Sequence, residues 1–214
     1  MSIPLPVLIT IFVLMVIAGI VAKTPWFKGW IGEFIVNVVI KLFLDKRTYH
    51  LVRDVTLPTA DGTTQIDHVI VSRYGVFVIE TKNMAGAIYG TEHQKQWTQA
   101  FGPKIKHKFM NPLHQNYKHT ATLGELLELP KEKLKSIVMF VGDAKLKSKD
   151  KPKNVLTNGL VGHIKSHKEE ILTEEEVTEI LAKIETNRLE RGFETNRKHV
   201  AHVKSIKEQK AKRS

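Results

Sequence analysis

The stretch QIDHVIVSRYGVFVIETK, residues 65–82, decides the fold of this chain of 214 residues. Two apolar runs flank the pair Arg73-Tyr74, and Gly75 follows the pair with the backbone freedom that a tight connection needs. If the pair is a two-residue loop, Ser72 lies opposite Gly75 and the partner of every other residue follows by counting. The stretch therefore predicts a β-hairpin whose register depends on this loop, since a three-residue loop ending in Gly75 would turn Asp67 to the other face unless a bulge restored the register.

This register brings three charged side chains together. Counting back from the loop sets Asp67 opposite Glu80, and directly opposed Cβ atoms are about 4.5 to 5.5 Å apart. Lys82 shares a face with Glu80 because side chains alternate along a strand. Two carboxylates so close repel each other unless a divalent cation lies between them. Spacing alone leaves two interpretations open, a Mg²⁺ or Mn²⁺ site at Asp67 and Glu80, or a salt bridge at the rim of a sheet.

The chemistry that suits the first interpretation is phosphodiester hydrolysis. Oxygen ligands from Asp67 and Glu80 hold the metal ion, which polarises the phosphoryl group and activates water. Lys82 then stabilises the negative charge that grows on the phosphate in the transition state, or helps to orient the attacking water.

Hydrophobic periodicity predicts an α/β fold around the hairpin. Helical spacing marks an amphipathic helix over residues 30–43, another over 113–129 and a third that begins after Thr173, the predicted N-cap. Short apolar runs predict four strands of a meander, a further strand and an edge strand, at residues 49–57, 65–72, 76–82, 86–89, 136–141 and 155–157. Two interpretations are open for Lys104, Lys106 and Lys108, namely contact with a phosphate backbone near the site or a solvated basic loop. The lysine-rich residues 145–153 predict a solvated loop.

The hairpin and its surroundings resemble the nuclease-related domain, or NERD. The resemblance covers residues 30–129, with the matching motifs at Gln65–Ser72, Gly75–Asn83, Gly86, Trp97 and Asn111–Asn116, and a start at Gly32-Glu33. That family is similar to the PD-(D/E)xK nucleases. The resemblance implies a restriction-endonuclease-like mixed sheet flanked by helices, with Mg²⁺ held at the edge of the sheet.

The same resemblance implies roles for five residues. Asp67 matches the metal-binding aspartate, Glu80 the second acid and Lys82 the lysine of the motif. Glu33 matches an acid that many members carry on the first helix, and Gln115 a glutamine on a later helix near the site. The alternative for Glu33 is an ordinary solvated helix face. For Gln115 it is a structural amide that bonds nearby backbone.

Composition favours anionic partners. The chain has 33 Lys and Arg against 22 Asp and Glu, a net charge of +11, which suits nucleic acid or acidic lipid. The basic run Arg197–Arg213 is a candidate for either contact. The absence of cysteine excludes disulfide frameworks, thiolate zinc sites and cysteine nucleophiles.

The N-terminus predicts a transmembrane helix. Residues 3–22 carry no charge and are long enough at about 1.5 Å per residue to cross about 30 Å of hydrocarbon. Lys23 and Lys28 follow the span, so the positive-inside rule predicts an outside N-terminus and a cytoplasmic C-terminal domain. We expect a membrane anchor at 1–24, the nuclease-related domain at 25–170, and a helix with a basic tail at 171–214.

These expectations combine into a membrane-anchored, Mg²⁺-dependent nuclease that cuts DNA, with RNA as the second candidate. The alternative is a membrane-tethered module of the same fold that binds nucleic acid or docks a partner without cutting. A third interpretation is a lipid-facing scaffold driven by the basic tail. Oligomeric state stays open.

Overall fold

The computed structural model describes residues 4–60 and 62–190, which form a mixed α/β fold with two mixed sheets. Within those residues the five α-helices are α1 (Leu5–Ala22), α2 (Pro25–Phe43), α3 (Pro112–Leu127), α4 (Leu160–Lys165) and α5 (Glu174–Asn187). The nine strands of the same residues are β1 (His50–Thr59), β2 (Gly62–Ser72), β3 (Gly75–Asn83), β4 (Gly86–Tyr89), β5 (Gln96–Phe101), β6 (Ile105–Met110), β7 (Leu134–Val141), β8 (Ala144–Leu146) and β9 (Val155–Leu156).

The first sheet has the order β1-β2-β3-β7-β9 and contains the predicted hairpin. Strands β1, β2 and β3 are antiparallel neighbours, whereas β3, β7 and β9 run parallel. The register of β2 and β3 runs from Ser72 opposite Gly75 to His68 opposite Ile79, as the two-residue loop predicts. Apolar residues of α3 and α5 pack on one face of this sheet, and those of α2 and α4 pack on the other. The central strands are therefore buried on both faces.

The second sheet, of order β6-β5-β4-β8, corrects the expectation of a single sheet with a four-strand meander. Two glycines with positive φ explain it, Gly86 at 83° and Gly142 at 80°. Gly86 is the first residue of β4, and Gly142 lies between β7 and β8. The parallel pair β3–β7 thus turns at both glycines and continues as the parallel pair β4–β8.

Strand β6 corrects the predicted solvated basic loop at residues 104–108, whereas strand β8 takes up only Lys145 and Leu146 of the loop predicted over residues 145–153. Residues 105–110 pair with β5, and residues 144–146 pair with β4. The buried Trp97 of β5 anchors this sheet, since its ring stacks on Phe140 of β7 with the centroids 6.2 Å apart. Gly90 leaves room for the ring, because a Cβ there would lie 2.1 Å from a Trp97 ring atom. Burial of one aromatic side chain thus outweighs the polar pattern around it.

Helix α5 begins as the sequence predicts. The Thr173 hydroxyl accepts the amide of Glu176, and the Glu176 carboxylate accepts the amide of Thr173 in a capping box. The predicted edge strand is confirmed as β9. The basic run Arg197–Arg213 lies outside the described residues.

Helix α1 stands apart from the core. Its 18 residues contribute nothing to the buried interior. Among residues 4–60 and 62–190 it is the one helix whose length and composition would suit a membrane span.

Candidate active site

The end of the β2–β3 pairing positions Asp67. Paired residues extend as far as His68 and Ile79, and Asp67 and Glu80 follow directly beyond this last pair. There the Oδ2 atom of Asp67 accepts the backbone amide of Thr81 at 2.7 Å. This bond holds the carboxylate of Asp67, a half-buried residue, at the end of the paired segment.

Glu80 lies almost wholly buried beside Asp67, with 2% of its surface exposed. Its Oε1 atom contacts the Nζ atom of Lys82 at 2.6 Å, and its Oε2 atom lies 3.1 Å from Nε2 of His119. A buried carboxylate needs such partners because water does not reach it. The structure therefore brings together the two acids and the lysine that the hairpin register predicts.

Helix α3 supplies the side chains that hold Glu80 and Lys82 in place. Lys82 donates from Nζ to Oε1 of Gln115 at 2.9 Å. Gln115 and His119 are four residues apart, so both face the sheet from one side of the helix. Gln115 thus contacts a charged side chain of the site, and the alternative of a purely backbone-bonded amide does not describe this contact.

His119 is a site residue that the sequence analysis missed. Its ring is 5% exposed, and Nδ1 lies 2.7 Å from the hydroxyl of Thr64 on β2. The Glu80 carboxylate only accepts hydrogen bonds, so Nε2 of His119 is the donor. In the neutral ring Nδ1 then accepts from the Thr64 hydroxyl, which fixes both the tautomer and the ring orientation. The spacing Gln115-x-x-x-His119 was the available signal.

Glu33 reaches the site from α2, on the other face of the sheet. Gly32 permits the approach, since a Cβ there would lie 2.8 Å from the Cβ of Asn83. Burial, followed by the negative charges of Asp54 and Glu80, raises the pKa of Glu33 from 4.5 to about 7. Glu33 is therefore part of an acidic cluster rather than of a solvated face.

Asp54 is a second residue that the sequence analysis missed. Strand β1 pairs with β2 on both sides of it, Arg53 with His68 and Val55 with Ile66, while Asp54 itself adopts a positive φ of 51°. Asparagine and aspartate are the non-glycine residues that tolerate this conformation best. A charged residue inside an apolar strand was the available signal.

The pKa values of the two central acids move in opposite directions. Burial, then the charges of Glu80 and Glu33, raise the pKa of Asp67 well above its usual range, while the Thr81 amide and Lys82 act weakly against them. Burial also acts to raise the pKa of Glu80, but Lys82 and His119 outweigh it and the net pKa falls. When all of its acids are ionised, the cluster therefore carries more negative charge than Lys82 neutralises.

This charge excess fits a divalent cation. Within residues 4–60 and 62–190 no three His, Cys, Asp or Glu side chains form a ready metal cage. Mg²⁺ seldom requires one, since it is usually held by one or two carboxylates together with substrate phosphates and water. Asp67 and Glu80 supply two carboxylates of the required hard-oxygen chemistry. The cation would also relieve the repulsion that raises the pKa of Asp67.

Buried His68 lies beside the site on the opposite strand face from Asp67. Burial is the main cause that lowers its pKa from 6.5 to about 4, and the backbone of Glu33 and the charge of Glu80 act against this effect. His68 is therefore neutral near pH 7 and does not offset the acidic cluster.

Comparisons with known proteins show the family of the chain. The family model of the nuclease-related domain matches residues 28–141, which include Glu33, Asp67, Glu80, Lys82 and Gln115. An uncharacterized protein of Bacillus anthracis is 38% identical over 205 residues, covering 92% of this chain and 93% of that protein. No solved structure matches the chain significantly.

Proposed function

Because the chain belongs to the nuclease-related domain family, we propose that it is a membrane-anchored, Mg²⁺-dependent nuclease of restriction-endonuclease-like fold. It would hydrolyse phosphodiester bonds in DNA, with RNA as the second candidate. The observation that carries the proposal is the cluster of Asp67, Glu80 and Lys82 at the end of the hairpin, joined by Glu33 from the opposite face.

In this proposal each side chain of the site has a separate chemical role. Asp67 and Glu80 would hold Mg²⁺ or Mn²⁺, which supplies Lewis acidity toward the phosphoryl group and a more acidic water. Lys82 donates toward negative charge on the transferring phosphate, and Gln115 holds the lysine in place. Glu33, with a pKa of about 7, is suited to take a proton from the attacking water.

His119 would act through Glu80 rather than on the metal ion or the substrate. It donates from Nε2 to Glu80, and its other ring nitrogen is fixed by Thr64. Partners of this kind orient metal-binding carboxylates and raise the affinity of a site for its metal. We therefore count His119 as a positioning residue rather than as a catalytic one.

The N-terminal helix supports the proposed location of the protein at the cell membrane. α1 is apolar, exposed and followed by Lys23 and Lys28, so we place the chain in the cell membrane with a single span. The N-terminus would lie outside and the nuclease domain in the cytoplasm, where nucleic acid is available. The basic run Arg197–Arg213 would contact nucleic acid or the acidic lipids of the same leaflet.

A non-catalytic module is the second candidate, and one observation favours it. Without a metal ion, Glu80 already has two close partners in Lys82 and His119. Such a satisfied ion-pair network can stabilise a fold without any reaction. A module of this kind would bind nucleic acid or a partner protein at the membrane and leave the bound molecule intact.

Cleavage by the full-length protein in lipid nanodiscs tests the proposal. Supercoiled plasmid, linear duplex, single-stranded DNA and RNA are incubated with Mg²⁺, Mn²⁺ or EDTA. Asp67→Asn and Lys82→Met remove a metal ligand and the positive charge, and Lys106→Met is the control for loss of an exposed lysine. We expect metal-dependent cleavage that both site variants lose and the control keeps. Binding without cleavage in every metal would favour the second candidate.

A further inference from the structure

The outer face of α2 carries an unpartnered apolar stripe. Five side chains follow one another at every fourth residue and are 73%, 51%, 52%, 37% and 71% exposed, namely Trp26, Trp30, Phe34, Val38 and Leu42. Each of these residues is turned about 40° around the helix axis from the one before it, so the five form one continuous band that winds around about 160° of the helix, which we call the outer stripe. A patch of this size in water marks an interaction site.

Packing of the inner face prevents α2 from burying the outer stripe. Gly32, Val36 and Ile40 point into the core, where Val36 and Ile40 contact the first sheet. The same inner face carries Glu33, the one acid of α2, toward the candidate active site. Rotation of the helix would break both arrangements, so the outer stripe must be covered from outside.

The chemistry of the outer stripe suits a lipid surface. The rings of Phe27, Trp30 and Phe34 stack in series, with centroids 5.8 and 5.7 Å apart. Aromatic side chains, tryptophan above all, are enriched at the boundary between head groups and hydrocarbon. The charged residues exposed on α2 are the lysines Lys28 and Lys41, which attract acidic head groups.

The connection to α1 brings the outer stripe to the bilayer. Only Lys23 and Thr24 separate the two helices, and two residues span at most about 7 Å. Thr24 fixes the junction, since its hydroxyl donates to the Val21 carbonyl and accepts the amide of Phe27. If α1 crosses the membrane, the first turn of α2 must therefore lie in the head-group layer.

We propose that α2 lies in the membrane interface, with its outer stripe buried among lipid acyl chains and its lysines among acidic head groups. This inference rests on the proposed membrane span of α1. The nuclease domain is then held against the leaflet in one orientation, with the first sheet on the side of α2 that faces away from lipid. A second copy of the chain on the stripe is the competing occupant.

Spin labels on the full-length chain test this orientation. The chain contains no cysteine, so each engineered cysteine takes one label. Phe34→Cys and Leu42→Cys report on the outer stripe, Val13→Cys on α1, and Lys106→Cys on an exposed strand of the second sheet. Collision with oxygen, which concentrates in lipid, is compared with collision with a water-soluble nickel chelate. Nanodiscs of phosphatidylcholine with and without phosphatidylglycerol provide the bilayer.

We expect oxygen to dominate at positions 13, 34 and 42 and the chelate to dominate at 106. If collision with oxygen dominates at position 13 but collision with the chelate dominates at positions 34 and 42, the inference is overturned while the membrane span stands. Dominant collision with the chelate at position 13 would refute the membrane span itself. Shielding of 34 and 42 from both reagents, with short distances between equal labels on two chains, would assign the stripe to a second copy and also overturn the inference.

Discussion

The substitution Glu33→Gln should stabilise the metal-free protein near neutral and alkaline pH. Glu33 sits among other acids, and burial together with their charge raises its pKa from 4.5 to about 7. Glutamine has nearly the same shape but no charge, so the substitution removes the repulsion and keeps the packing.

The magnitude follows from this shift of pKa. A shift of one pKa unit corresponds to about 1.4 kcal/mol, so the shift of Glu33 represents a loss of roughly 3 kcal/mol of native-state stability at most. The Glu33 side chain is partly exposed, and solvent screening reduces the effect to about 1 to 2 kcal/mol. For a domain of this size that stabilisation raises the Tm by roughly 2 to 8 °C.

The pH dependence has a definite sign. Well below pH 4.5 Glu33 is protonated in both the native and the unfolded chain, and it contributes no difference. As the pH rises, the unfolded chain loses this proton first, so the native state loses stability up to a pH of about 7. The advantage of Glu33→Gln should therefore be large at pH 8 and nearly absent at pH 4.

Thermal unfolding of the full-length protein in nanodiscs with EDTA measures this effect. The control is Glu132→Gln, an exposed acid far from the site in sequence, for which we expect no change in Tm. Added Mg²⁺ should raise the Tm of the wild type and raise that of Glu33→Gln less. A Tm of Glu33→Gln at pH 8 that equals or falls below the wild-type value would refute the acidic cluster.

Three further predictions concern buried side chains around the site. His119→Ala and Thr64→Val should each lower Mg²⁺ affinity about tenfold or more, measured by calorimetry, because Glu80 loses its orientation; unchanged affinity in both would exclude a positioning role for His119. His68, whose pKa falls to about 4, should make the wild type lose up to about 3 kcal/mol as the pH drops from 6.5 to 4. Urea unfolding should show that slope reduced in His68→Gln, and an equal slope would contradict the assignment. Asn116→Ala should lower the free energy of unfolding by about 2 to 4 kcal/mol, since its amide donates to the carbonyls of Val78 and Ile137 inside the core. Asn187→Ala, on the exposed end of α5, is its control in the same urea assay.

Local rules account for the parts of the fold that could be predicted from sequence. The hairpin register followed from one loop, because an alternating strand has a single arrangement that places Ser72 opposite Gly75. The N-cap of α5 followed in the same way from Thr173 and the acids after it, and the structure adds the reciprocal bond from Glu176. In both cases the interacting residues are near neighbours in the chain, so spacing alone is informative.

The second sheet could not be predicted because its strands depend on distant partners. β6 presents lysines to solvent, and β8 is only 3 residues long, so neither has an apolar pattern of its own. β6 pairs with β5 and β8 pairs with β4, and Trp97 of β5 anchors this sheet on Phe140 of another strand. A contact between residues so far apart in sequence leaves no periodic signal.

The residues of the candidate site also fall into those that local rules predict and those that only tertiary packing brings together. The sequence by itself determined that Asp67, Glu80 and Lys82 share one end of a hairpin, since strand alternation and a two-residue loop suffice for that. Only the tertiary structure decided that Glu33 and Asp54 add their charge, and that His119 and Thr64 hold Glu80. These residues come from four different elements and meet through packing on both faces of the sheet. Packing of that kind depends on three-dimensional fit, which a pattern along one chain does not record.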